Sequence, residues 1–208
     1  MSAPRLARAL GLVVLLVLGL TRARADERVI VTLGDSLTAG LGVAADEAYP
    51  ALLEARLREA GFSYRVVNAG VSGDTSAGGV RRLDWVLRAK PEIVLVALGA
   101  NDGLRGLPVD ALRDNLTAIV TRLRANKVRV LLIGMRLPPN YGDRYAAQFA
   151  ETFRSVAQRT SVAFLPFLLD GVGGVATLNQ PDGIHPNVAG HRIVAARVFT
   201  ALQPLLRR

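Results

Sequence analysis

The chain has 208 residues, of which 50% are apolar and 21% are charged, and it contains no cysteine. This composition excludes a disordered protein, a collagen-like protein and a small disulfide-held domain, and it is typical of one globular domain with a sizeable core. The formal net charge of +9 falls to +5 if residues 1–25 are removed. Apart from pairs such as Arg81 and Arg82, the basic residues are scattered among acidic ones. This distribution favours a solvated surface over nucleic-acid binding.

The first 25 residues have the pattern of a secretory signal peptide. A basic start with Arg5 and Arg8 precedes an apolar run over Ala9–Leu20, and Ala23–Ala25 places small residues at a spacing that signal peptidase accepts. The run is shorter than the roughly 20 apolar residues that span a bilayer, which disfavours a membrane anchor. We therefore predict an exported protein, periplasmic or secreted, whose domain spans residues 26–208 without membrane insertion.

The rest of the chain alternates short β-branched runs with longer amphipathic runs, a pattern that predicts a parallel sheet covered by helices on both faces. The predicted strands are Arg28–Leu33, Tyr64–Asn68, Ile93–Leu98, Val128–Gly134 and Val162–Leu165. The predicted helices are Tyr49–Ala60, Ala77–Ala89, Val109–Ala125, Tyr145–Thr160 and Val188–Leu206. Right-handed crossovers place every strand-to-helix loop at one edge of the sheet, where ligands bind in such folds.

Four segments bring polar residues and glycines to this edge: Gly34–Leu37, Asn68–Thr75, Gly99–Gly103 and Asp182–Pro186. Taken singly, each has a structural explanation as a turn or as the start of a helix. Together they supply a serine, a glycine that leaves room for a ligand beside the backbone N–H, an asparagine amide, and a carboxylate three residues before an imidazole. We interpret the combination as a catalytic site with a nucleophile, a base, an orienting acid and amide donors.

These segments resemble, in order, the four sequence blocks of the SGNH (GDSL) hydrolase superfamily. The matching residues are Gly34-Asp35-Ser36-Leu37, Gly73, Gly99-Ala100-Asn101-Asp102 and Asp182-Gly183-Ile184-His185, with Ala100 where many relatives have glycine. Residues 99–106 and 135–142 are similar to a narrower branch, the exported bacterial acyl-CoA thioesterase I, lysophospholipase and arylesterase group. The resemblance implies a flavodoxin-like three-layer α/β/α fold with a five-stranded parallel sheet in the order 2-1-3-4-5.

The resemblance also implies a role for each site residue. Ser36 is expected to be the nucleophile, His185 its base and Asp182 the carboxylate that orients His185, which agrees with the weakness of an unassisted hydroxyl nucleophile. The oxyanion is expected to be held by the backbone N–H groups of Ser36 and Gly73 and the side-chain amide of Asn101. The expected reaction hydrolyses aryl esters, acyl-CoA-type thioesters or lysophospholipids through an acyl-serine, without a metal or other cofactor.

Apolar loops at the same edge are candidates for binding the acyl part of a small ester or thioester substrate. We expect substrate contacts at Leu107, Arg136 and Leu168, with Arg105 or Arg136 meeting a phosphate or carboxylate of the leaving group. The alternative is that these loops simply pack on the sheet, since half-buried apolar residues are common.

Other functions are weighed against this hypothesis. Gly40–Ala45 spells the glycine fingerprint of dinucleotide-binding proteins, but residues 34–39 separate it from the preceding strand, which disfavours that function. Besides His185 the chain has only His191, and it has no cysteine, so a metal site is not expected. A non-catalytic ligand-binding module on the same fold and a carbohydrate O-acetyl esterase are the alternatives. A monomer is favoured, although the sequence does not determine the oligomeric state.

Overall fold

The computed structural model describes residues 28–208, and the predicted signal peptide lies outside the described residues. Five parallel strands form one sheet in the order β2-β1-β3-β4-β5, which confirms the predicted topology. The strands are β1 (Arg28–Gly34), β2 (Tyr64–Gly70), β3 (Ile93–Ala97), β4 (Arg129–Ile133) and β5 (Ala163–Leu165). β3 lies at the centre and all five of its residues are fully buried, as expected for a strand covered on both faces.

Helices connect and cover the strands. They are α1 (Ser36–Ala39), α2 (Tyr49–Glu59), α3 (Ser76–Arg81), α4 (Leu83–Arg88), α5 (Ala100–Leu104), α6 (Val109–Ala125), α7 (Asp143–Thr160) and α8 (Val188–Leu202), with 3₁₀ turns at Pro139–Tyr141, Ala176–Leu178 and Gln203–Leu205. α2 packs against α8, whereas α6 packs against α3 and α7. Because the chain crosses from β1 to β2 in one direction and then returns towards β5, right-handed crossovers place these two groups on opposite faces of the sheet.

β1, β2 and β3 end in register at the edge where the candidate site was predicted. Gly34 of β1 is aligned with Gly70 of β2 and with Ala97 of β3. A Cβ atom at Gly34 would lie 1.9 Å from Thr38 Oγ1, and one at Gly70 would lie 2.2 Å from the Ala39 backbone nitrogen. The two glycines therefore let α1 lie directly against the strand ends, with Ser36 at its first position.

The prediction of one helix over Ala77–Ala89 is wrong, because the structure has two short helices separated at Arg82. Arg82 adopts φ −101° and ψ 11°, outside the usual helical range. Its side chain is only 20% exposed and donates to the carbonyls of Ala69 in β2 and Gly34 in β1. The helix that the apolar spacing predicts is thus interrupted at Arg82, whose side chain makes polar contacts with the strand ends.

Further differences are the end of α8 and two short helices that were not predicted. α8 ends at Leu202, before the predicted Leu206, because Pro204 has no N–H with which to continue the helical hydrogen bonds. Helices α1 and α5 were not predicted, since four or five residues are too few to show a helical period. Both start two or three residues after the end of a strand and carry candidate site residues.

His191 and Tyr49 join α8 to α2 inside the protein. The Tyr49 backbone N–H donates to His191 Nδ1 at 3.2 Å, and His191 is 2% exposed. Burial, with a smaller contribution from the charge of His185, lowers the pKa of His191 from 6.5 to about 4. His191 therefore stays neutral in the folded protein under conditions that protonate it in the unfolded chain.

We expect the wild-type protein to lose about 3 kcal/mol of unfolding free energy, relative to His191→Gln, as the pH falls from 6.5 to about 4. In this range the unfolded imidazole binds a proton and the folded one does not, so acid favours unfolding. Glutamine keeps an acceptor for the Tyr49 N–H but does not titrate. Urea unfolding of both proteins across this range measures the difference, and a difference that does not change with pH would contradict the prediction.

Candidate active site

Ser36 and His185 meet across 149 positions of sequence. Ser36 begins α1 directly after β1, and Asp35 caps this helix by accepting a hydrogen bond from the Leu37 backbone N–H at 3.0 Å. The Ser36 hydroxyl oxygen lies 2.9 Å from His185 Nε2, which is hydrogen-bonding distance. The two residues are therefore placed for proton transfer between the hydroxyl and the imidazole.

Asp182 holds the other side of the His185 ring. Its Oδ2 atom lies 2.6 Å from His185 Nδ1, and its Oδ1 atom accepts the backbone N–H groups of Ile184 and His185, each at 3.0 Å. The backbone hydrogen bond from His185 is the largest cause that lowers the pKa of Asp182 to about 2. An ionised Asp182 can only accept, so His185 carries its proton on Nδ1 and presents the lone pair of Nε2 to Ser36.

The loop that carries Asp182 and His185 is fastened at both ends. The Gln180 backbone N–H donates to the His185 carbonyl at 2.8 Å, and an antiparallel bridge joins Asn179 to Pro186. Gly183 adopts φ +74° between the two site residues, a conformation that favours glycine. The loop is thus a closed turn that presents both side chains just before α8.

Gly73 and Asn101, the predicted oxyanion donors, lie on the loops that follow β2 and β3. Gly73 has φ +77°, and Asn101 is the second residue of α5, directly after Gly99 and Ala100. The Asn101 side-chain amide donates to the Asp74 carbonyl at 3.0 Å, and its other near contact, Asp35 Oδ2, is 3.5 Å away. The structure thus brings the loops of both predicted donors together beside Ser36.

Asp35 is a buried carboxylic acid beside the nucleophile. It is 0% exposed, and burial raises its pKa from 3.8 to about 6, although the Leu37 N–H and the charge of His185 act in the opposite direction. Asp35 belongs to the Gly34–Leu37 motif, but its burial was not predicted from the sequence. The Asn101 side-chain nitrogen lies 3.5 Å from Asp35 Oδ2, so this carboxyl lies beside a predicted oxyanion donor.

Ser36, Gly73, Asn101 and His185 line a single cavity of about 530 Å³. The other walls are mainly apolar, and they include Leu37, Leu41, Leu104, Met135, Leu137 and Phe167. An apolar cavity with a few convergent polar groups is typical of a small-molecule site.

The three predicted substrate contacts have different outcomes. Arg136 lines the cavity, where its guanidinium lies 5.2 Å from the centre of the Phe167 ring. Leu168 does not line it, because its side chain is fully buried in the core while the flanking Phe167 and Leu169 face the cavity. Leu107 does not line it either, because its side chain is exposed beyond the end of α5, whereas Leu104 on the helix does.

Arg105 was considered as a partner for the leaving group. Its guanidinium instead donates to the Gly73 carbonyl at 2.9 Å, so it already has a partner at the site. The cavity residues missed by the sequence analysis include Leu37 and Leu41. Their closeness to Ser36 was the available signal, since Leu37 is the next residue in α1 and Leu41 follows the end of this helix.

Several other sequence features can be placed in the described part of the chain. Gly40 ends α1 with φ +80°, so the glycine pattern at Gly40–Ala45 follows a helix and does not open one, unlike a dinucleotide-binding turn. Within residues 28–208 no three His, Cys, Asp or Glu side chains are grouped to hold a metal ion. No helix in these residues has the length and apolar character to cross a membrane.

Comparison with known proteins gives the same picture. Residues 32–193 match the GDSL-like lipase/acylhydrolase family. The chain is 44% identical to an esterase, TesA, of Pseudomonas aeruginosa over 200 residues, which cover 96% of this chain and 100% of that protein. It is 40% identical to thioesterase 1/protease 1/lysophospholipase L1 of Escherichia coli over 192 residues, 92% of this chain and 90% of that one.

A solved structure also has the same fold. The crystal structure of a TesA protein matches this one with a TM-score of 0.84 and 45% identity, over 86% of this chain and 100% of that chain. The family match over residues 32–193 includes all four candidate loops. The chain therefore belongs to the GDSL-like lipase/acylhydrolase family.

Proposed function

We propose that the protein hydrolyses carboxylic esters or thioesters through an acyl-serine intermediate formed on Ser36. The names of its relatives, which include an esterase and a thioesterase/lysophospholipase, support this reaction class. The observation that carries the mechanism is the pair of short contacts, 2.9 Å from Ser36 to His185 and 2.6 Å from His185 to Asp182, at an apolar cavity. Each residue then has one role in the reaction.

In the first half of the reaction, the Ser36 hydroxyl attacks the carbonyl carbon of the substrate. His185 Nε2 takes the hydroxyl proton as the new C–O bond forms, and the ionised Asp182 stabilises the resulting imidazolium. The tetrahedral intermediate then expels the alcohol or thiol, which receives the proton from His185. The products of this half are the free leaving group and an acyl group esterified to Ser36.

This step develops negative charge on the carbonyl oxygen, and that charge raises the activation free energy unless it is stabilised. The backbone N–H groups of Ser36 and Gly73 and the side-chain amide of Asn101 stabilise it by hydrogen bonds, as donors fixed before the reaction begins. The Asn101 amide has one strong partner, the Asp74 carbonyl, and a second hydrogen whose nearest acceptor is 3.5 Å away. That second hydrogen is available to the oxyanion.

The second half releases the acyl group. A water molecule loses its proton to His185 Nε2 and attacks the acyl carbon, and the same donors stabilise the second tetrahedral intermediate. Collapse of this intermediate returns the proton to Ser36 and releases a carboxylic acid. The chain's own residues thus supply every proton-transfer step.

The apolar cavity binds the acyl chain of the substrate, because its walls next to Ser36 are leucine, methionine and phenylalanine side chains. Aryl esters, acyl-CoA-type thioesters and lysophospholipids all combine an acyl chain with a leaving group of different size. Arg136 lines the cavity, and its positive charge supports the proposal that it meets an anionic leaving group.

The protein is also proposed to be exported. Residues 1–25 have the pattern of a cleaved signal, and cleavage after Ala25 leaves a protein that starts at Asp26. N-terminal sequencing of the full chain expressed in a Gram-negative host, with separate periplasmic and cytoplasmic fractions, tests this. We expect the periplasmic protein to begin at Asp26. An uncleaved protein found in the cytoplasmic fraction would contradict export.

We expect Ser36→Ala to lower kcat by about 10⁴-fold or more, and Asn101→Ala by about 10²–10³-fold, on p-nitrophenyl butyrate. The first variant removes the nucleophile and the second removes one oxyanion donor. Ser155→Ala in α7 is the matched control and keeps wild-type turnover, because this half-buried serine bonds Arg159 and does not line the cavity. Near-normal turnover by folded Ser36→Ala would refute the mechanism, and a folded wild-type protein without turnover would favour a binding module.

We expect Leu104→Ala to lower kcat/KM about tenfold for a p-nitrophenyl decanoate substrate and less than about twofold for the acetate, because Leu104 lines the cavity and Leu→Ala removes contacts with a long chain. Leu107→Ala, three positions away and outside the cavity, is the control and should leave both values unchanged. Equal effects of the two substitutions on chain-length preference would contradict this assignment of the acyl site.

A further inference from the structure

Arg82 connects three segments that meet at the active site. Its Nε donates to Asp74 Oδ2 at 2.7 Å, its Nη1 to the Ala69 carbonyl at 2.7 Å and its Nη2 to the Gly34 carbonyl at 2.8 Å. Gly34 immediately precedes the Asp35-Ser36 pair, and Asp74 immediately follows Gly73. A single planar guanidinium therefore spans the nucleophile loop, the end of β2 and the loop of the Gly73 donor.

Asp74 extends the connection to the third oxyanion donor. Its carbonyl accepts the Asn101 side-chain amide at 3.0 Å, while its carboxylate binds Arg82. The Thr75 backbone N–H also holds this carboxylate by donating to Asp74 Oδ1 at 3.0 Å. Arg82 and Asp74 thus connect the segments that carry Ser36, Gly73 and Asn101.

We propose that Arg82 is a positioning residue for the oxyanion hole, which fixes the separation between the loops of Ser36 and Gly73 through the Gly34 and Asp74 contacts. This rests on the proposed hydrolase mechanism. Arginine suits the task because its rigid fork serves three acceptors at fixed angles, whereas a lysine ammonium on a flexible stem cannot reproduce that geometry. The helix breaks at Arg82, between α3 and α4, and this break lets the Arg82 side chain reach the ends of β1 and β2.

A second arginine provides a matched comparison. Arg129, at the start of β4, forms a pair with Glu92 in the connection before β3, with side chains 23% and 27% exposed, against 20% and 11% for Arg82 and Asp74. This pair lies at the opposite edge of the sheet, away from the candidate site. An ion pair that only stabilises the fold would behave in the same way at both positions.

We expect Arg82→Met to lower kcat on p-nitrophenyl butyrate by about 10–100-fold, with KM within about threefold of wild type, because misplaced oxyanion donors weaken the transition state more than the bound substrate. Arg129→Met should change kcat less than about twofold at a comparable loss of thermal stability. Arg82→Lys keeps the positive charge, and we expect it to recover little activity. Added guanidinium ion should recover part of the kcat of Arg82→Met and none for Arg129→Met.

Amide hydrogen exchange gives a readout that does not require turnover. Exchange in residues 70–75 should accelerate in Arg82→Met and in Arg82→Lys, and stay unchanged in Arg129→Met. A wild-type kcat in folded Arg82→Met, full activity in Arg82→Lys, or unchanged exchange in residues 70–75 would each overturn the proposal. If the wild-type protein has no Ser36-dependent turnover, the proposed function fails, and the exchange data still decide whether Arg82 positions the Gly73 loop.

Discussion

The hydrogen bond between Ser36 and His185 depends on how α1, α2 and α8 are packed together. Tyr49 of α2 connects both sides: its hydroxyl lies 2.9 Å from Thr38 Oγ1 on α1, and its backbone N–H donates to His191 on α8. Thr38 lies two residues after Ser36, and His191 lies six residues after His185. The distance between nucleophile and base is therefore set by buried polar contacts in the layer below the site, which water cannot weaken.

The oxyanion donors depend on a second constraint, the parallel register of the central strands. β1 lies between β2 and β3 and the three strands end side by side, so the loops after β2 and β3 each leave the sheet one strand spacing from the loop after β1. Each loop contributes one donor, Ser36, Gly73 or Asn101. The fold brings these loops near one another, and the contacts of Arg82 and Asp74 then fix their relative positions.

The sequence predicted the features that depend on local pattern or on motif order. Buried strands such as Ile93–Ala97 follow from continuous β-branched runs, and the spacing of Asp182 and His185 predicts their contact. It did not predict the break at Arg82, because two of the three partners of this arginine are backbone carbonyls of β1 and β2, which carry no sequence signal. It placed Leu168 in the substrate site because adjacent apolar residues look alike in sequence, whereas the turn after β5 buries Leu168 in the core and leaves Phe167 and Leu169 at the cavity.

The central claim is that Ser36 forms the covalent bond while three donors from three loops bind the oxyanion. A crystal structure of the protein inhibited by an alkyl phosphonate ester tests it most directly, because the phosphonate copies the tetrahedral intermediate. We expect phosphorus on the Ser36 hydroxyl oxygen, with one phosphoryl oxygen about 3 Å from the backbone nitrogens of Ser36 and Gly73 and from Asn101 Nδ2, and with the alkyl chain in the apolar cavity. A phosphonate on another residue, or a phosphoryl oxygen that contacts none of these donors, would contradict the account.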